Sequence, residues 1–157
     1  MKIKHLLASL LLPVALWANA APFTVSADGQ EVTDTKTGLV WRRCAEGMTA
    51  SGGTCTGTAT AFTYEAAITR ASTQATNTGV AWRLPNVKEL SSIADKSRVN
   101  PAIDTVAFPV TPASGFWSSS PYVGYAGYAW VVNFYFGYVN YNVRYNSGYV
   151  RLVRAGQ

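Results

Sequence analysis

Outside its first twenty residues this 157-residue chain contains no histidine; the one it has is His5. That removes the commonest general base and the commonest zinc ligand from everything that follows. Cysteine is scarce too, with only Cys44 and Cys55, and two such residues without histidine cannot build a standard zinc site. Charge is thin. Asp, Glu, Lys and Arg make up 13% of residues, against about a quarter in an ordinary domain. No carboxylate side chain occurs after Asp104, which argues against a calcium site in the last third, since calcium is held by clustered oxygens. Lys and Arg form no stripe or cluster, so nothing points to nucleic acid. There is no G-X-Y tract and therefore no collagen-like segment, and no repeat of solenoid period. Beyond residue 17 no apolar run is long enough to span a bilayer.

What is present begins with an export pattern. Lys2, Lys4 and His5 form a basic start, Leu6 to Trp17 an apolar run, and Ala18-Asn19-Ala20 an A-x-A cleavage site. Residues 1–20 are therefore expected to be a cleaved signal peptide, an uncleaved N-terminal anchor being the alternative. Cleavage would leave 137 residues, enough for one domain with a real core. Losing Lys2 and Lys4 takes the formal charge from +5 to +3. An oxidising destination favours a Cys44–Cys55 disulfide closing the Gly-rich loop between them, with a free buried pair as the alternative. Residues 21–33 read as an exposed leader, and 34–157 as the domain.

Within the domain, Leu39–Arg43 reads as a strand after the turn at 34–38. Phe62, Ala66, Ile68 and Ala71 approach helical spacing, so a first helix is expected from Thr63. Asn86 with Glu89 three residues on makes a variant capping box for a second, short helix ending near Asp95. Arg83 suits a structural ion pair or a binding role equally. From Phe116 the pattern turns to strands. Trp130, Val132, Phe134 and Phe136 alternate with Val131, Asn133 and Tyr135, and the first set is expected to face the core. Residues 149–154 read as a terminal strand, with Val150 and Leu152 on one side.

The most unusual stretch runs from Pro121 to Tyr149. It holds eight of the nine tyrosines, spaced by Gly, Ala, Val and Asn, with Arg144 as its only charge. Tyrosine supplies a large, rigid contact area at low entropic cost, and Gly, Ser and Asn supply adaptable hydrogen bonding. That is the composition of a paratope. A Tyr-rich sheet edge with half-buried side chains would look similar. Ser118-Ser119-Ser120 could offer a nucleophile only beside a base, and none is evident. No catalytic residue, metal ligand or cofactor is therefore expected.

Five landmarks in order, TGLVW at 37–41, WRLPNVKEL at 82–90, FWSSS at 116–120, AWVVNF at 129–134 and YVRLVR at 149–154, resemble the DUF1566 family, related to the C-terminal domain of the collagen-like protein Lcl. The resemblance covers roughly residues 34–154. It implies an α+β domain of C-type-lectin-like fold, two helices flanking antiparallel strands with the first and last strands paired. The tail also resembles the variable protein of a diversity-generating retroelement. In such systems adenines of AAC or AAT codons are randomised, which can yield Tyr, Val, Gly, Ala, Ser and Asn but not Lys, Glu, Gln, Met or Trp. Residues 121–149 contain none of those five except Trp130. This resemblance implies a ligand-binding surface at Tyr122, Val123, Tyr125, Tyr128, Val131, Tyr135, Tyr138, Val139, Tyr141, Val143 and Tyr145. Trp117, Trp130, Phe134, Val150 and Leu152 would be its rigid base. The expected partner is a protein or carbohydrate on another cell, phage or host surface. A fixed, calcium-independent sugar adhesin is the second reading.

Overall fold

The computed structural model describes residues 22–156; the expected signal peptide lies outside them. Eleven elements follow in the order β1 (Phe23–Val25), β2 (Glu31–Asp34), β3 (Leu39–Arg42), β4 (Met48–Ser51), β5 (Thr54–Gly57), α1 (Tyr64–Thr78), α2 (Val87–Ser92), β6 (Gly115–Pro121), β7 (Tyr128–Asn133), β8 (Tyr138–Val143) and β9 (Val153–Ala155). The class is α+β, with every sheet antiparallel.

The first sheet has the order β1-β2-β3-β9, so the chain's last strand closes against β3. Residues 22–33 are not an exposed leader. They supply β1 and most of β2, and Val32 is wholly buried beside Trp41. These strands look polar in sequence because only one residue in two of them points inward, and β1 is a three-residue strand. β4 and β5 form a separate hairpin, stapled to the chain before it by the Cys44–Cys55 disulfide.

Both helices start where their caps dictate. Thr63 Oγ1 accepts from Ala66 N at the head of α1. Asn86 and Glu89 form a complete capping box on α2, each side chain satisfying the other's backbone N–H, worth about 1 kcal/mol for the Asn cap. Glu89 is held twice more by Arg83, through Oε1 and Oε2 at 2.7 and 2.8 Å. Arg83 is thus a structural partner of α2. These bonds to Arg83, ahead of the penalty from burial, keep the Glu89 carboxyl below its ordinary pKa.

The third sheet is β6-β7-β8, and it and its loops hold the eleven candidate positions. Two core clusters meet it. Trp117, Ala129 and Val131 pack with Tyr64, Ala67 and Ala71 of α1. Phe116, Val132 and Phe134 pack with Leu90 and Ile93 at the α2 end. Trp117 is completely buried and its indole N–H donates to Phe62 O at 2.8 Å. A Cβ on Gly148 would lie 2.8 Å from that indole nitrogen, so the close approach of the backbone requires glycine there.

Arg151 is the largest polar side chain in the interior and is fully buried. It donates to the carbonyls of Arg42 and Arg43 and to Thr111 Oγ1, and its guanidinium lies 4.8 Å from the Phe108 ring centroid. Burial pulls its pKa down to about 9, still above neutrality.

Candidate functional site

Strand alternation and register decide which rings share a face. In the β7–β8 ladder Tyr128 stands opposite Val143, Trp130 opposite Tyr141, and Val132 opposite Val139. All six therefore project from one face. Near Val132 that face is covered by the core. Toward Tyr128 it is open.

On the open part five rings form a continuous patch. Tyr122 stacks on Tyr141 with centroids 4.6 Å apart and an interplanar angle of 27°. Trp130 meets Tyr122 edge-on at 5.0 Å and Tyr141 at 6.1 Å. Tyr128 meets Tyr141 at 5.7 Å and Tyr125 at 5.8 Å. Such pairs contribute about 0.5–1.5 kcal/mol each beyond their buried area, which fixes the patch without a core beneath every ring. Tyr125 and Tyr141 remain exposed, Tyr122, Tyr128 and Trp130 half-exposed.

The backbone beneath is also fixed. Tyr122 N donates to Tyr128 O at 3.1 Å across the 122–127 loop, and Arg144 N to Gly127 O at 2.9 Å. A Cβ on Gly124 would come within 2.8 Å of the Tyr122 ring, so glycine lets that ring fold over the loop. Arg144, the one charge nearby, turns inward. Its guanidinium lies 4.7 Å from the Tyr64 ring centroid and its Nε donates to Tyr128 O. The patch presents ring surface and hydroxyls and almost no charge.

A second, smaller group sits on the β7–β8 turn, where Phe136 lies 4.5 Å from Tyr135 and 6.0 Å from Tyr138. Asn100 N donates to Tyr135 O and Ala102 N to Phe134 O, tying this turn to residues 100–102. Val123 and Tyr145 are exposed on loops, at 96% and 78%, and Val139 is exposed on β8. Val143 is half-buried opposite Tyr128.

Three expectations need correction. Val131 is not a surface position; it is 5% exposed and packs with Trp117 and Ala129 against α1. Trp130 does not belong to the core base but to the five-ring patch. Phe136 is 52% exposed on the turn. The alternation itself was real, yet both faces of β7 are buried at Val131 and Val132 while only one is buried at Ala129. The buried Ala129 beside two large aromatics was the available signal.

Ser118 is fully buried, and its Oγ donates to Trp130 O at 2.8 Å. Ser120 Oγ accepts from Val87 N, linking β6 to the start of α2. Among the described residues no three His, Cys, Asp or Glu side chains gather where they could hold a metal ion, and no helix is long and apolar enough to cross a membrane. A groove of about 640 Å³ runs between α1 and residues 81–84, lined by Ile68, Ala71, Trp82, Leu84 and Ser119 among others. None of the eleven candidate positions lines it.

The architecture is thus an α+β domain of three antiparallel sheets, with an uncharged aromatic patch at the open end of the third. The chain belongs to the Lcl C-terminal domain family, whose sequence profile matches residues 30–154. That span begins one residue before β2 and ends in β9. Neither a search of curated proteins nor one of solved structures finds a match.

Proposed function

We propose that this is an exported recognition domain, without catalytic activity, whose ligand seats on the patch formed by Tyr122, Tyr125, Tyr128, Trp130 and Tyr141. One observation carries the proposal: five contiguous, partly exposed rings stand where no core requires them. An exposed aromatic surface of this kind otherwise promotes unwanted association. Its rings sit on a loop and strand ends over a rigid base, as binding residues commonly do. The disulfide supports an oxidising destination. The pairing of β3 with β9 supports a C-type-lectin-like fold. The buried, hydrogen-bonded Ser118 supports a role without nucleophilic chemistry.

The ligand class we favour is a protein or glycan surface on another cell, phage or host. Ten of the eleven candidate positions are exposed or half-exposed, which supports diversification by a retroelement as the source of the tyrosines. Sequencing around the gene tests this. A near-copy of codons 117–154 that differs almost only at adenines, beside a reverse-transcriptase frame, is the expected finding. Its absence leaves a fixed-ligand domain.

The decisive experiment for the patch is a glycan-array and cell-surface binding screen of the mature chain against Tyr122→Ala/Tyr125→Ala. Binding by the parent that disappears in the variant, at similar melting temperature, is the expected result. Equal binding by both would remove the patch from function. Sugar binding, if found, should survive a chelator.

A further inference from the structure

β8 is the outer strand of the β6-β7-β8 sheet, and among the described residues no strand pairs with its free edge. The one occupied group on that edge is the Val143 carbonyl, which accepts from Asn146 N at 2.9 Å and keeps a second lone pair. Tyr138, Val139, Asn140 and Tyr141 are all exposed. The outward-pointing N–H groups of Tyr141 and Val143 are held only by the side-chain oxygens of the preceding residues, Asn140 Oδ1 at 2.8 Å and Asn142 Oδ1 at 2.9 Å. Open edges usually carry charge, proline or a bulge that deters pairing. This one has none of these over residues 138–143.

We infer that the β8 edge binds a second copy of this chain, β8 against β8 in antiparallel register centred on Tyr141. The strand's own pattern selects this occupant. Outward backbone groups belong to residues 139, 141 and 143, because 141 and 143 turn their N–H groups away from β7 and strand geometry alternates. Centring on Tyr141 puts it opposite the partner's Tyr141, and Val139 opposite the partner's Val143. On the other face Asn140 meets the partner's Asn142. Apolar faces apolar and amide faces amide, with no like charges opposed, which is the self-complementarity a twofold interface needs. The asparagine caps give way to backbone carbonyls, so no donor is left without an acceptor. Joined in this way the two aromatic patches become one surface running across six strands. The pairing stands whether or not that patch is the ligand site.

A six-residue edge with its flanking rings is smaller than a standard protein interface, so association should be weak, with dimer appearing between roughly 10 µM and 1 mM. The test uses two single variants of the mature chain, Asn140→Cys and Asn142→Cys. Cys44 and Cys55 are bonded to each other, so each variant carries one new thiol. Under mild oxidation a mixture of the two should cross-link about tenfold faster than either alone, because only the mixture places thiols opposite each other. Sedimentation equilibrium of the parent should show mass rising toward twice the monomer. Val139→Pro, which removes an outward donor and spares the β7 ladder, should abolish that rise. Monomer mass throughout with no selective cross-link overturns the proposal, as does equal cross-linking by each variant alone. Each of these outcomes leaves the Tyr122→Ala/Tyr125→Ala comparison free to succeed or fail by itself.

Discussion

Tyr122 and Tyr141 stack at 4.6 Å although eighteen residues of loop, strand and turn separate them. Tyr122 lies in the loop after β6, Tyr141 in the outer strand, and the contact spans β7. It makes the open end of the sheet a single surface. Tyr141 touches Tyr122, Tyr128 and Trp130, so Tyr141→Ala should loosen the whole patch. Tyrosine fluorescence lifetimes and ligand binding should both change, with a stability loss of about 1–2 kcal/mol.

The two tryptophans of the third sheet should behave differently. Trp117 is fully buried with a satisfied N–H, so Trp117→Ala should cost about 3–5 kcal/mol. Trp130 is half-exposed, and Trp130→Ala should cost about 1–2 kcal/mol by losing edge contacts with Tyr122 and Tyr141. Urea unfolding of both variants checks the contrast. Equal losses would return Trp130 to the core.

Val131 and Val123 separate structure from surface in the same way. Val131→Asn buries an unpartnered amide in the cluster with Trp117 and should cost about 2–4 kcal/mol. Val123→Asn, on an almost fully exposed loop residue, should stay within about 0.5 kcal/mol of the parent. If codon 131 were diversified, most of its polar variants would fail to fold.

How much of this was legible beforehand divides along physical lines. Thr63 and Asn86 announced both helix starts, because a cap is a local hydrogen-bond motif. The Cys44–Cys55 pair and the β3–β9 pairing were likewise within reach, the first from compartment chemistry and the second from the family resemblance. β1 and β2 were hidden, since short strands with one inward residue in two resemble polar leader. The face of Trp130 was hidden as well: alternation gives the two sides of a strand but not where along it a helix stops covering one of them. Nothing local in YVRLVR shows that Arg151 is wholly interior, because its partners are carbonyls of Arg42 and Arg43, over a hundred residues away in sequence.

Glu89 links stability to pH. Its carboxyl pKa lies below the usual value in the folded chain, chiefly through Arg83. A depressed folded pKa gives stability that is present above the unfolded value, about 4.3, and lost as pH falls through the folded one. Melting temperature should therefore drop on acidification below about pH 4.3. Glu89→Gln should flatten part of that drop and lower the plateau at neutral pH. An unchanged profile would mean the ion pair contributes nothing measurable.

Reduction supplies a further check. The Cys44–Cys55 bond closes a loop with a sequence separation of 11, and its loss in Cys44→Ala/Cys55→Ala should cost about 2–4 kcal/mol. The β4–β5 hairpin should become the fastest-exchanging part of the domain in hydrogen exchange. The aromatic patch, on a different sheet, should keep its protection.

Arg151 has a consequence for the order of events as the chain is made. Its guanidinium bonds the carbonyls ending β3, and two residues later β9 completes the first sheet against that same strand. A polypeptide emerging from its N-terminus thus holds β1, β2 and β3 long before the residues that lock them exist. The first sheet cannot close until residues 151–155 have arrived. A chain cut short before residue 151 should therefore lack both the guanidinium and the strand that close this sheet, and proteases should degrade it faster than the parent.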